Sequence, residues 1–151
     1  MADMRQVQVT FDCADPDRLA RFWWEVLGYV VDPPPPGFES WPDFLRTQGV
    51  PEHLWNARSA CSDPSGRGPR LFFQRVPESK TVKNRLHLDV RAAPGLKEDA
   101  RMAALEAECA RLLGLGASRR DHWPADGDDL QGMDQGFIVM LDPEGNEFCL
   151  D

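Results

Sequence analysis

Two short turn signals, Asp63-Pro64-Ser65-Gly66 and Asp142-Pro143-Glu144-Gly145, lie 79 positions apart in a chain of 151 residues. The same offset carries Gln8 onto His87. The periodicity around these anchors agrees with them. Val7, Val9, Phe11 and Cys13 alternate with Gln8, Thr10 and Asp12, which is strand spacing with one apolar and one polar face. Asp15 then offers an N-cap and Pro16 suits the first helical position. Leu19, Phe22, Trp23, Val26 and Leu27 recur at helical spacing until Gly28. Strands follow at 29–31, 57–62 and 70–76, the last two joined by the first Asp-Pro turn.

The second half repeats the order. Alternation resumes over 85–91, with Leu86, Leu88 and Val90 expected toward the helices and His87, Asp89 and Arg91 on the other face. A helix is predicted over 96–113, sharing Met102, Leu105, Cys109 and Leu112 on one side, and strands over 118–123, 136–141 and 146–150. A strand, a helix and three strands performed twice imply an α+β chain of two βαβββ modules. The halves, about 5–79 and 84–151, are expected to make one domain whose curved mixed sheet surrounds a central cavity, since neither could bury its sheet alone. Between them in character stands the excursion 37–56. Pro33 to Pro36 cannot extend a sheet, and Phe38, Trp41, Phe44, Leu45, Leu54 and Trp55 are too apolar for a solvated linker. It reads as a cover folded over the domain, with a helical turn at 41–48.

Charge narrows the partners. With 17 Lys and Arg against 25 Asp and Glu, a net charge of -8 repels phosphate backbones and anionic lipid, so neither nucleic acid nor membrane is an expected partner. Met1 to Thr10 has neither a signal peptide's apolar stretch nor a membrane span, which places the expected location in the cytoplasm. Cys13, Cys61, Cys109 and Cys149 form no Cys-x-x-Cys pair and read as reduced thiols rather than a zinc knuckle or disulfide framework.

Three strings carry a resemblance: Asp12-Cys13-Ala14-Asp15-Pro16 leading into Phe22-Trp23; Val76-Pro77-Glu78 with Lys83-Asn84-Arg85-Leu86-His87-Leu88-Asp89; and Asp142-Pro143-Glu144-Gly145-Asn146-Glu147-Phe148-Cys149. Together with the doubled module they resemble the glyoxalase-like domain proteins of the vicinal oxygen chelate superfamily, which also holds glyoxalase I, extradiol dioxygenases, and fosfomycin- and bleomycin-resistance proteins. The resemblance implies four inward ligand positions, usually His and Glu, that hold a metal against vicinal oxygens of the substrate. Here those positions match Gln8, Gln74, His87 and Cys149, with Phe72 on the same face as Gln74 competing for the second. Glutamine amides are weak uncharged donors, so the expectation is no metal cofactor; a divalent ion on His87 and Cys149 is the lesser alternative.

The expected function is therefore binding of a small organic molecule in the cavity between the modules, lined by Gln8, Thr10, Phe72, Gln74, His87, Asp89 and Cys149. A metal-dependent lyase or isomerase and a drug-sequestering resistance protein are the alternatives, and the family's habit suggests a homodimer. Asp89 is expected to reach His87 only through an intermediary, because same-face neighbours on a regular strand sit about 7 Å apart. Cys149 as a nucleophile is weighed against a small buried hydrophobe. Lys80, Lys83 and Arg85 would hold an anion or make salt bridges in a solvated loop. His53 and His122 read as surface or packing residues. Trp23 reads as core, Trp24 as a contact off the core face, and Trp41, Trp55 and Trp123 as pocket lining or gap filling. Asp126, Asp128 and Asp129 read as a solvated turn rather than a calcium loop.

Overall fold

A computed structural model describes residues 4–123 and 136–151, with the backbone alone at 122 and 123. The chain divides into two compact units, Met1–Ser79 and Lys80–Asp151. The first contains β1 (Gln8–Cys13), α1 (Pro16–Leu27), β2 (Val30–Val31), α2 (Trp41–Thr47), a 3₁₀ segment (Glu52–Ala57), β3 (Arg58–Ser62) and β4 (Arg70–Arg75). The second contains β5 (Asp89–Val90), α3 (Glu98–Gly114), β6 (Ser118–Trp123), β7 (Phe137–Leu141) and β8 (Glu147–Leu150). Each unit has one four-stranded mixed sheet, in the order β1-β4-β3-β2 or β5-β8-β7-β6, with its first and last strands parallel. The architecture is the α+β class that the sequence implies.

In the first unit, α1 begins where Asp15 accepts from the Arg18 amide at 3.2 Å. It ends at Gly28, whose φ of 67° is the left-handed conformation that costs glycine nothing. That fixes its apolar stripe against the sheet. Leu19, Phe22 and Trp23 lie over the face made by Cys61, Leu71 and Phe73, all of them buried. Phe11 stacks on Phe73 at 5.1 Å and tilts against Trp23 at 5.3 Å. Each such side chain withdrawn from water contributes about 1.5–3 kcal/mol. The excursion holds the predicted helical turn as α2, which buries no residue, and Trp41 and Leu54 stay exposed. Trp41 and Trp55 spend their ring N–H groups on the Asp32 and Val50 carbonyls, at 2.8 and 2.9 Å. Its end is tied to α1 by Asn56, which donates to Asp15 and accepts from the Asp17 amide at 2.8 and 2.9 Å.

In the second unit Leu105, Cys109 and Leu112 of α3 share the core with Ile138, Met140, Phe148 and Leu150. Cys109 Sγ lies 3.4 Å from Met140 Sδ. Arg101, not Met102, completes the buried side of the helix: its guanidinium donates to the Gly136 carbonyl and the Asp151 carboxylate, while Met102 is half-buried. The matched Asp-Pro turns have the same construction. Asp63 accepts from the amides of Ser65, Arg67 and Gly68, and Asp142 from those of Glu144 and Asn146. The carboxylate replaces the strand ladder where the chain reverses.

The segment 85–91 departs from its predicted course. Only Asp89 and Val90 are strand, bends occupy Arg85 and Leu86, and Leu86 is 71% exposed instead of facing the helices. Just ahead of the segment Glu147 on β8 takes the Asn84 N–H at 2.9 Å, and within it Leu88 accepts from the Cys149 amide at 3.0 Å. Asp126, Asp128 and Asp129, and the side chains of His122 and Trp123, lie outside the described residues.

Candidate functional site

The polar face of the first sheet is built by strand alternation and closed by hydrogen bonds. Gln8 and Thr10 of β1 point to the side opposite Phe11, and Gln8 Nε2 approaches Thr10 Oγ1 at 3.4 Å. Register pairs Gln8 with Arg70, Thr10 with Phe72 and Asp12 with Gln74. The side chains follow this pairing. Arg70 Nη1 donates to Gln8 Oε1 at 2.7 Å and its Nε to Asp32 Oδ2 at 2.7 Å, while its guanidinium lies 5.3 Å from the Phe72 ring centre. Gln74 is occupied separately, donating to Asp12 at 2.7 Å. Arg70 and Asp32 were not among the candidates. Alternation would have put Arg70 beside Phe72 on the polar face, but no local signal links it to Asp32, 38 positions away.

The second sheet brings three candidates together. Asp89 pairs in register with Cys149, and His87 stands on the approach to β5. His87 Nδ1 lies 3.0 Å from Asp89 Oδ1, and one donor atom from each of His87, Asp89 and Cys149 falls within 4.8 Å of the others. The direct contact overturns the expected intermediary: the two side chains lean together and span the gap between same-face neighbours themselves. Burial first, then the charge and hydrogen-bond acceptance of Asp89, push the Cys149 thiol up to about 11. A shift in that direction disfavours the thiolate that a nucleophile would need.

Farther along the same face stands Glu147, also missed in the sequence. It is buried, and it accepts from the Asn84 amide, Lys80 Nζ and Arg120 Nη1 at 2.9, 3.0 and 2.9 Å. Burial pushes its carboxyl upward, but the Asn84 amide and Lys80 outweigh this and hold it at about 2. Lys80 is thus a structural ion-pair partner. Among the others, His53 is exposed and uses its carbonyl to accept from Arg75 at 3.0 Å, and Trp24 bonds to Glu25 under the Arg21 guanidinium. The four cysteines are free thiols, with Cys149 the one that is not buried.

The donors fall short of the four-ligand centre that the family resemblance implies. Tetrahedral zinc bonds of about 2.0–2.3 Å put neighbouring ligand atoms about 3.3–3.8 Å apart, with four protein ligands in structural sites and three plus a water in catalytic ones. Among the described residues His87, Asp89 and Cys149 supply three donors within 4.8 Å of one another, with the imidazole bonded to the carboxylate. In the first unit Gln8 turns its only side-chain oxygen toward a cation, and Phe72 has no donor.

The glyoxalase-like domain model matches residues 8–150, almost the whole chain. The protein belongs to the glyoxalase-like domain family. A search of the curated proteins finds no match. Among solved structures, this glyoxalase-like chain is similar to a glyoxalase/bleomycin resistance protein/dioxygenase family enzyme from Burkholderia phytofirmans, at 14% identity and a TM-score of 0.57, covering 95% of this chain and 94% of the other. It is similar also to the fosfomycin resistance protein FosX of Mesorhizobium loti, at 13% identity and a TM-score of 0.58, covering 99% and 91%. A structure described as a possible glyoxalase from Bacillus cereus has 13% identity and a TM-score of 0.56, with 98% of each chain covered. At these identities the likeness establishes the fold. No helix among the described residues is long and apolar enough to cross a membrane.

Proposed function

We propose that this glyoxalase-like protein binds a small organic molecule against the polar faces of its sheets and does so without the metal its metal-using relatives employ. The observation that carries the reading is the 2.7 Å bond from the Arg70 guanidinium to Gln8 Oε1. At the first position where the family resemblance implies a metal ligand, the one oxygen available is committed to a positive charge. The matching position in the second unit is committed to an acid, through His87 and Asp89. Both faces are thereby furnished with fixed hydrogen-bonding groups beside Phe72 or the half-buried Val139, a combination suited to an organic ligand.

Ligand-observed NMR with a small-molecule library, joined to elemental analysis of protein purified without chelator, tests the reading. Expected are compounds that bind metal-free protein and lose affinity in His87→Ala and Arg70→Ala. Stoichiometric metal that disappears in His87→Ala would overturn it. Conversion of a bound dicarbonyl thioadduct would mark a lyase or isomerase, and tight binding without product a sequestering role.

A further inference from the structure

The contact between His87 and Asp89 decides what the imidazole offers to a ligand. A neutral imidazole carries one proton and one lone pair on its two nitrogens, and whichever nitrogen faces a carboxylate keeps the proton. Asp89 Oδ1 lies 3.0 Å from Nδ1, and among the described residues Nε2 has no partner. His87 is 41% exposed at its side chain, so that lone pair is open to a ligand. Across the sheet the paired row runs from Asp89 through Cys149 and Val139 to Asp121 on β6, with the apolar stretch along β7. Cys149 pairs with Asp89 on one side and with Val139 on the other, and directly paired residues share a face. Phe137, Val139 and Leu141 are half-buried, while Ile138 and Met140, which alternate with them, are in the core. An acceptor at the β5 edge thus adjoins an apolar strip on β7.

We propose that Asp89 is a positioning residue that fixes the His87 proton on Nδ1, leaving Nε2 as the acceptor for the hydroxyl of a phenol-like ligand whose ring lies over Cys149 and Val139. This rests on the binding reading above and adds the chemical class of the ligand to it. A ligand without a proton to donate leaves Nε2 unsatisfied, and such an unmade hydrogen bond to a neutral group costs about 1–1.5 kcal/mol, or about tenfold in affinity.

Long-range nitrogen–proton NMR correlation of histidine-labelled, chelator-treated protein at about pH 8 reads the tautomer directly. Wild type is expected to show His87 protonated on Nδ1. Asp89→Ala should move the proton largely to Nε2, and Asp89→Asn, which keeps a weaker acceptor, should fall between. Phenol should shift the His87 Nε2 resonance, bind about tenfold more tightly than anisole, and lose that margin in Asp89→Ala. An Nε2-protonated wild type, a tautomer unchanged by Asp89→Ala, or phenol and anisole acting alike would overturn the inference. Library compounds that bind while leaving His87 unmoved would sink it and spare the binding reading. A library without a single binder would end that reading, and with it the ligand assignment, even if the tautomer were as expected.

Discussion

The two units use one register to carry opposite chemistry. In the first, Thr10 pairs with Phe72 and Arg70 stands two residues before it; in the second, Asp89 pairs with Cys149 and Glu147 stands two residues before it. A cation thus occupies in one sheet the place an anion occupies in the other. Each has gathered its own partners, Gln8 and Asp32 around Arg70, and Lys80, Asn84 and Arg120 around Glu147. The doubled scaffold is enforced by the apolar side of each sheet, where a wrong residue leaves a cavity. The polar side is free to diverge, provided every charge finds a partner.

The largest expected effect tests the shared scaffold. Phe73→Ala and Phe148→Ala each remove a fully buried ring, and each should cost about 3–5 kcal/mol in denaturant unfolding. A silent substitution in either unit would break the equivalence of the two cores.

Next in size is the divergence at Arg70 and Glu147. Glu147→Gln strips two ion pairs from a buried group and should cost about 1–3 kcal/mol. Because its folded pKa is depressed to about 2, the carboxylate contributes stability that is complete above its unfolded value near 4.5 and is lost as pH falls toward 2. The variant should therefore show a flatter loss of stability between these pH values, and an unchanged slope would refute the assignment.

Smaller is the effect of Asp89 on its register partner. Iodoacetamide should modify Cys149 slowly near neutrality and faster as pH rises toward 11. Asp89→Asn removes a negative charge that disfavours the thiolate, so the rate at a given pH should rise about three- to tenfold. Mass spectrometry of the modified peptide reads it; an unchanged rate would mean that Asp89 does not act on the thiol. Smallest is Arg70→Met in the first unit. Its ion pair with Asp32 is partly exposed, 41% and 19%, so a loss of at most about 1 kcal/mol is expected in thermal unfolding. A loss as large as that of Glu147→Gln would remove the contrast between the sheets.

The features legible in the residues were those that repeat over short distances. The alternation from Gln8 to Cys13, the Asp15-Pro16 start and Gly28 stop of α1, and the two Asp-Pro turns are local patterns, readable before the partner strand of β1 is known. The two turns recur at one offset, and with the doubled order of elements and the three quoted strings they sufficed for the α+β class and the family resemblance. Phe72, rather than Gln74, as the partner of Thr10 was a matter of register, set by how many residues the first hairpin spends before β4 begins.

The site itself was decided by contacts between distant parts of the chain. Asp32 reaches Arg70 and Glu147 reaches Asn84 across 38 and 63 positions, distances over which no periodicity holds. His87 and Asp89 are only two residues apart, yet the segment that carries them is held from another strand, where Glu147 takes the Asn84 amide and Cys149 donates to the Leu88 carbonyl. Within the regular strands and α1, sequence determined which side chains share a face. The folded chain determined which of them touch, because that depends on backbone turns anchored elsewhere.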